Sequence, residues 1–275
     1  MKPITFYKMS GSGNDFIIVD NRDQVVDETN MAEFISSVCR RKLSVGADGF
    51  ILIESSDQAD FRWRFYNSDG SRAEMCGNGA RCAARFAYVN GIAEKSLSFE
   101  TDAGVVLGQI NDERAKVKMP DPFDLRLDYT IHLKNGPLRV SSINSGVPHV
   151  VIAKETIEDV NVVELGREIR YHDAYVPNGT NVNFICQRKP GELGIRTYER
   201  GVEDETLACG TGSIAAALVT ACELNWESPI NVATRSGESL TIYFHNDNGS
   251  FKDIYLEGDA RIIYSAKLWE DAWKC

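Results

Sequence analysis

Apolar positions along the chain fall into short runs bounded by Gly, Asn, Asp and Pro. Residues 16–19, 50–53 and 150–152 are apolar throughout and rich in β-branched side chains, which predicts buried strands. Residues 138–143 alternate at Leu138 and Val140 before turning polar, a weaker strand pattern. Three segments carry a helical period. Residues 29–43 open on the capping candidates Thr29 and Asn30 and place Met31, Phe34, Ile35 and Val38 on one face. Residues 79–89 and 213–224 are rich in Ala. The first carries only Arg81 and Arg85 as charges and meets a stop at Asn90-Gly91; the second is apolar nearly all round. Both are expected to lie largely buried. Residues 118–124, with Pro120 and Pro122, predict a linker.

The pattern repeats once. Cys76-Gly77-Asn78-Gly79 precedes one Ala-rich helix and Cys209-Gly210-Thr211-Gly212 the other, at an offset of 133 residues (209 − 76 = 133). Gly13-Asn14 and Gly146-Val147 keep that offset, as do Gly46-Ala47-Asp48 and Gly179-Thr180-Asn181, each followed by a strand. The reading is therefore an α/β (α+β) fold of two pseudo-symmetric half-domains. Each half is a mostly antiparallel, curved sheet wrapped around a central apolar helix, with the active site in the cleft between them. Residues 1–120 form the N-terminal half and 121–275 the C-terminal half, and the last C-terminal residues have the option of joining the first. Equivalent loops, and with them Cys76 and Cys209, are then expected to face each other.

Composition narrows the classes without naming a chemistry. Forty acidic against thirty basic side chains, a net charge of −10, leave no basic stripe for nucleic acid. No apolar run is long enough to span a bilayer, and residues 1–9 are not followed by the apolar core of a secretory signal. Seven cysteines without a C-x-x-C pair indicate neither a disulfide scaffold nor a zinc finger, so no metal is assigned. A reducing cytoplasm is the expected compartment.

Each Cys-Gly-x-Gly turn opens directly into a helix. Glycines admit close approach of a ligand, and the first helical N–H groups, with the helix dipole, make a site for a carboxylate or phosphate. A cysteine there has its thiolate favoured by the same field. Two such turns on one cleft can hold a carboxylate between two thiols, one removing an α-proton while the other donates from the opposite face. That is a racemase or epimerase without a cofactor. Cys39, Cys82, Cys186 and Cys222 read as core, and Cys275 is given no role. Asn14, Asn67, His149, three asparagines within residues 178–183, and Glu199-Arg200 cluster at the same landmarks, the last able to grip an ammonium and a carboxylate.

Taken in order, Gly11-Ser12-Gly13-Asn14-Asp15-Phe16, Asn67-x-Asp69-Gly70-Ser71, Cys76-Gly77-Asn78-Gly79, Pro148-His149, Glu199-Arg200-Gly201 and Ala208-Cys209-Gly210-Thr211-Gly212 resemble diaminopimelate epimerase. That family interconverts LL- and meso-diaminopimelate without pyridoxal phosphate, for lysine and peptidoglycan synthesis. The resemblance implies Cys76 and Cys209 as the acid–base pair, with His149 and Glu199 as auxiliary groups. It implies N–H donation to the α-carboxylate from Gly77, Asn78, Gly210 and Thr211, and substrate contacts from Asn14, Asn67, Asn181, Glu199 and Arg200. It also implies a cytoplasmic homodimer that takes a small amino acid substrate, with no cofactor. Two positions depart from the family pattern: Val147 stands where an asparagine is common, and Gly49 follows Asp48 where some members carry Gln. A racemase of another amino acid, a thiol–disulfide redox protein using the same two cysteines, and a binding protein using the two helix starts are the alternatives. The redox reading leaves Glu199, Arg200 and the asparagines without a task.

Overall fold

A computed structural model describes residues 3–274. One unit is built from the residues up to Val117 together with those from Gly258 onward, the other from Lys118–Glu257. The residues from Gly258, which the sequence reading left the option of joining the N-terminal half, stand in the first unit, where their strand pairs.

In the first unit the chain runs β1 (Ile4–Gly11), β2 (Asn14–Asp20), α1 (Met31–Cys39), β3 (Gly49–Glu54), β4 (Phe61–Asn67), β5 (Arg72–Ala73), α2 (Gly77–Val89), β6 (Ser96–Thr101), β7 (Gly104–Asn111) and β8 (Arg114–Lys118). Strand β1 pairs antiparallel with β2, β2 parallel with β3, β3 antiparallel with β4, and β4 parallel with β6. Strands β6, β7 and β8 continue antiparallel, while short β5 adds to β4. Each parallel junction is bridged by a helix, as a parallel pair requires.

The second unit runs β9 (Phe123–Leu133), β10 (Gly136–Asn144), β11 (Pro148–Ala153), α3 (Val162–Arg170), β12 (Asn181–Lys189), β13 (Glu192–Glu199), β14 (Asp204–Thr206), α4 (Gly210–Leu224), β15 (Ile230–Ala233), β16 (Ser239–Asp247) and β17 (Ser250–Asp259). From β10 to β17 it repeats the pairings of β1 to β8 in the same order and sense. Strand β9 flanks β10 antiparallel. Its counterpart beside β1 is β18 (Arg261–Leu268), from the far end of the chain.

Period-two alternation explains the continuous apolar runs. Ile17, Val19, Phe50 and Leu52 pack with Ile35 and Val38 of α1 on one face. Phe16, Ile51 and Trp63 lie against Gly79 of α2 on the other. With both faces covered there is no polar side to alternate with. The second unit does the same: Val150, Ile152, Val182 and Phe184 meet Val162 and Ile169 of α3, and α4 packs against β10 to β13. Helix α4 is buried from Gly212 through Ala221, which accounts for its lack of a polar face.

Helices α2 and α4 start at Gly77 and Gly210, earlier than predicted, and α2 stops at Asn90-Gly91 with Gly91 at φ +66°. Helix α1 ends at Cys39, and the Asn30 side chain makes no cap bond. Helix α3 was not anticipated. No helix among the described residues is long and apolar enough to cross a membrane.

Candidate active-site residues in the two units

In the first unit the β1–β2 hairpin turns through Ser12 and Gly13, both at positive φ, and delivers Asn14 to the start of β2. Cys76 caps α2, and its Sγ accepts the Gly79 N–H at 3.5 Å. Two residues on, Asn78 donates from Nδ2 to Asn14 Oδ1 at 2.7 Å. Asn14 in turn donates to Asp48 Oδ2 at 2.9 Å. Arg41 bonds both Asp48 and Asp15, and the half-buried Lys8–Asp15 pair lies at 2.7 Å. Burial alone would raise the Asp15 carboxyl; the hydrogen bonds from Arg41 and Lys8 outweigh it and hold the group at about 2. These charges anchor Asn14, and Asn14 anchors the helix start. Asn78 Oδ1 is buried with no partner among the described residues, an acceptor left beside Cys76. Fully buried Arg81 reaches back from α2 to Ser12 Oγ at 2.9 Å.

Asn67 is exposed at the end of β4, where its Nδ2 donates to Ser71 Oγ at 3.0 Å within its own turn. No hydrogen bond among the described residues joins it to Asn14 or Asn78. Gly49 has a packing reason: a Cβ there would lie 2.6 Å from the Phe65 ring.

In the second unit Cys209 caps α4, and its Sγ accepts the Gly212 N–H at 3.4 Å. The Thr211 hydroxyl lies 3.5 Å from the same sulfur and 2.9 Å from His149 Nε2. His149 Nδ1 faces Asn183 Nδ2 at 3.1 Å. Asn183 Nδ2 also donates to Val150 O, and its Oδ1 accepts the Thr197 hydroxyl at 3.0 Å. Burial first, and then the Arg200 charge, hold the His149 pKa down to about 3, so the ring is neutral. Ser145, one turn of repeat after Ser12, donates to Thr211 O at 2.8 Å. Both hairpin serines thus tie to a helix start, though by different routes.

Asn181 is buried and committed to backbone: Nδ2 to Pro148 O at 3.0 Å, and Oδ1 from Arg200 N–H at 2.8 Å. Arg200 donates to Asn178 O at 3.1 Å. Burial raises the Glu199 carboxyl, only partly offset by the neighbouring Thr206 hydroxyl. Val147 lies in the β10–β11 turn, one residue longer than its counterpart: Gly11 faces Asn14, whereas Asn144 faces Pro148. The extra residue is what places Val147 in the loop rather than at the strand start that Asn14 occupies.

Each unit therefore gathers its own set: Cys76, Asn78 and Asn14 in the first; Cys209, Thr211, His149, Asn181 and Arg200 in the second. Sequence reasoning held Asn183 only as one of three clustered asparagines, with no role of its own, and missed the Thr211 hydroxyl. Asn183 repeats Asn181 two positions on, the strand period that puts both amides on one face, reaching into the carbonyls of β11. Among the other cysteines, burial pushes Cys39 up to about 12 and, with Glu223, raises Cys222. Cys275 lies outside the described residues. No cluster of His, Cys, Asp and Glu among them has metal-site geometry.

A sequence profile of the family described as Diaminopimelate epimerase matches residues 6–122 and 141–263. Among similar curated proteins, the diaminopimelate epimerase of Aquifex aeolicus is 44% identical over 97% of this chain and 98% of its own. That of Archaeoglobus fulgidus is 40% identical over 96% of each. Among solved structures, a Bacillus anthracis phenazine biosynthesis protein of the PhzF family superposes with a TM-score of 0.75 at 19% identity, covering 98% of this chain and 100% of its own. An Agrobacterium vitis hydroxyproline epimerase gives 0.70 at 17% identity, over 98% and 93%. The two structural likenesses bear on the fold.

Proposed function

The chain belongs to the diaminopimelate epimerase family, and from that membership we propose that Cys76 and Cys209 are its two acid–base groups. The observation that carries this is the duplicated cap: in each unit a cysteine sulfur accepts the third helical N–H, at 3.5 and 3.4 Å. A sulfur in that position is favoured as thiolate by helix dipole and hydrogen bond together.

The α-carboxylate of LL- or meso-diaminopimelate binds the N–H groups of Gly77, Asn78, Gly210 and Thr211. One thiolate takes the α-proton and becomes a thiol; the other thiol gives its proton to the opposite face of the planar carbanion and becomes a thiolate. The reverse direction exchanges their roles. Because an amino-acid α-proton is far less acidic than a thiol, the carbanion needs fixed donors at the carboxylate and exclusion of water. The helix starts supply the donors, and no pyridoxal phosphate is required. Asn78 Oδ1 offers an acceptor to the substrate ammonium. Asn14, Asn67, Asn181, Glu199 and Arg200 serve recognition, Asn181 by holding the Arg200 backbone. A cytoplasmic homodimer acting in lysine and peptidoglycan synthesis completes the reading.

Incubation with LL-diaminopimelate in D₂O, followed by NMR, tests it. Deuterium should enter the α-position as the meso isomer forms, and Cys76→Ala or Cys209→Ala should each cut turnover by at least about 1,000-fold while the protein stays folded. Near-wild-type turnover in either variant rules out the two-base assignment; exchange confined to another amino acid moves the substrate but not the chemistry.

A further inference from the structure

We infer that Asp48, held by Arg41, is a positioning residue that fixes the Asn14–Asn78 amide pair so that Asn78 offers its carbonyl oxygen to the substrate ammonium. The inference rests on the substrate reading of Asn78 proposed above, and adds the group that decides which end of the amide is presented.

The assignment starts from Arg41, which can only donate. Its guanidinium bonds Asp48 Oδ1 at 2.8 Å and Asp15 Oδ1 at 2.6 Å, tying the two carboxylates together. The same two residues also bond through their backbones: Asp15 N–H to Asp48 Oδ2 at 3.2 Å and Asp48 N–H to Asp15 Oδ1 at 3.0 Å. Gly46, at φ +73°, leaves space for the arginine; a Cβ there would lie 3.0 Å from Arg41 Cα and Cγ. Asp48 Oδ2 is therefore a fixed acceptor, and the Asn14 atom 2.9 Å from it is the amide nitrogen. The carbonyl end of Asn14 faces Asn78 at 2.7 Å, so Asn78 must turn its own nitrogen toward it. What Asn78 has left is Oδ1, and that atom is buried without a partner among the described residues.

A buried acceptor without a donor is costly to keep, which calls for a donor supplied by a ligand. An α-amino acid carries its ammonium one carbon away from its carboxylate. A carboxylate on the Gly77 and Asn78 N–H groups therefore brings an N–H donor to the side chain of the same residue. The reversed pair would set Asn14 Oδ1 against Asp48 Oδ2, two acceptors 2.9 Å apart, and would turn an NH₂ group toward the ammonium. The second unit builds this position differently. Pro148 opens β11 where Asn14 opens β2, and Thr211 stands second in α4 where Asn78 stands second in α2. The oriented amide thus belongs to the first unit and distinguishes the two helix starts.

Neutron diffraction from perdeuterated wild-type crystals without substrate reads the pair directly. Deuterons should sit on the Asn78 atom that faces Asn14 and be absent from the atom that faces away. Asp48→Asn should invert the pair, because Arg41 holds the new carbonyl and leaves an NH₂ group toward Asn14. With diaminopimelate as substrate, that variant should raise KM about tenfold or more while kcat stays within about threefold. Asn78→Leu should raise KM similarly, and adding Asp48→Asn to it should change KM by less than about twofold. An Asp48 that served only to hold the fold would multiply the two losses. Wild-type deuterons on the outward atom of Asn78, or multiplying losses in the folded double variant, overturn the inference. Absence of turnover with diaminopimelate removes the proposed substrate, while the neutron reading still upholds or overturns the fixed pair, so the two failures are separable.

Discussion

His149 shows how a residue's neighbours decide its chemistry. The family resemblance gives it an auxiliary part beside the thiols; enclosed in the second unit, it is a neutral ring held at about 3 by burial and the Arg200 charge. An unfolded histidine titrates near 6.5. Below that value the unfolded chain takes up a proton that the native ring refuses, so stability present above about pH 6.5 is lost progressively as pH falls toward 3. Between pH 6.5 and 5, above the range in which most carboxylates titrate, denaturant unfolding of the wild type should lose stability more steeply than His149→Gln, by up to about 1.4 kcal/mol per pH unit. Equal slopes would mean that the native ring accepts the proton. Much at this scale was legible from sequence. The two capping cysteines announce themselves by their repeated Gly-x-Gly context, and burial raises the Cys39 thiol as expected of a core cysteine. Asn183 showed only as one of three clustered asparagines, because its contacts, to His149 and Val150 on β11 and to Thr197 on β13, come from strands distant in sequence.

At the scale of elements, the helix starts carry most of the design. Apolar runs and Ala-rich stretches revealed α2 and α4, but their first turns hold only Gly, Asn and Thr, poor helix formers that a propensity reading leaves in the loop. The cysteine caps recruit those residues into the helix. Helix α3 escaped notice for a related reason: it is short and interrupted by Gly166, which a Cβ would drive to 2.5 Å from Tyr198. Its readable signal was the reciprocal cap, Asn161 accepting from Glu164 N–H while its amide donates to the Glu164 carboxylate. The start of α4 makes a sharper test. Gly212→Ala should force Asn183 away from the helix, costing about 1–3 kcal/mol in denaturant unfolding and lowering kcat more than it raises KM. The matching Gly79→Ala has its nearest contacts at Ile51, Trp63 and Phe16, 3.4–3.5 Å away, and should cost less than about 1 kcal/mol. Equal penalties at the two glycines would show that the packing around Asn183 gives way easily.

For the molecule as a whole, the constant offset was legible because duplication keeps element order; the closing strand was legible only as an option without bounds, because it breaks that order. Unit 2 takes its flanking strand β9 from the residues just before β10, whereas unit 1 takes β18 from the opposite end of the chain. A boundary read along the sequence does not place such a return, since five of the eight residues of Arg261–Leu268 are exposed, Ile263 and Tyr264 among them. Yet Leu268 is buried with Ile4 and Phe6 in the core of unit 1, and β18 pairs with β1 from Ile4 through Ser10. Ending the chain before Arg261 should therefore expose the edge of β1 and open one side of that core while leaving the β9–β13 ladder of unit 2 complete. Hydrogen exchange by mass spectrometry should show protection of β1 and β2 falling by about ten- to a hundredfold, the loss of a buried leucine and a strand edge, with β12 and β13 near wild type. An equal drop across both units would mean that they unfold as a single cooperative body, and unchanged protection in β1 would mean that the returning strand is dispensable.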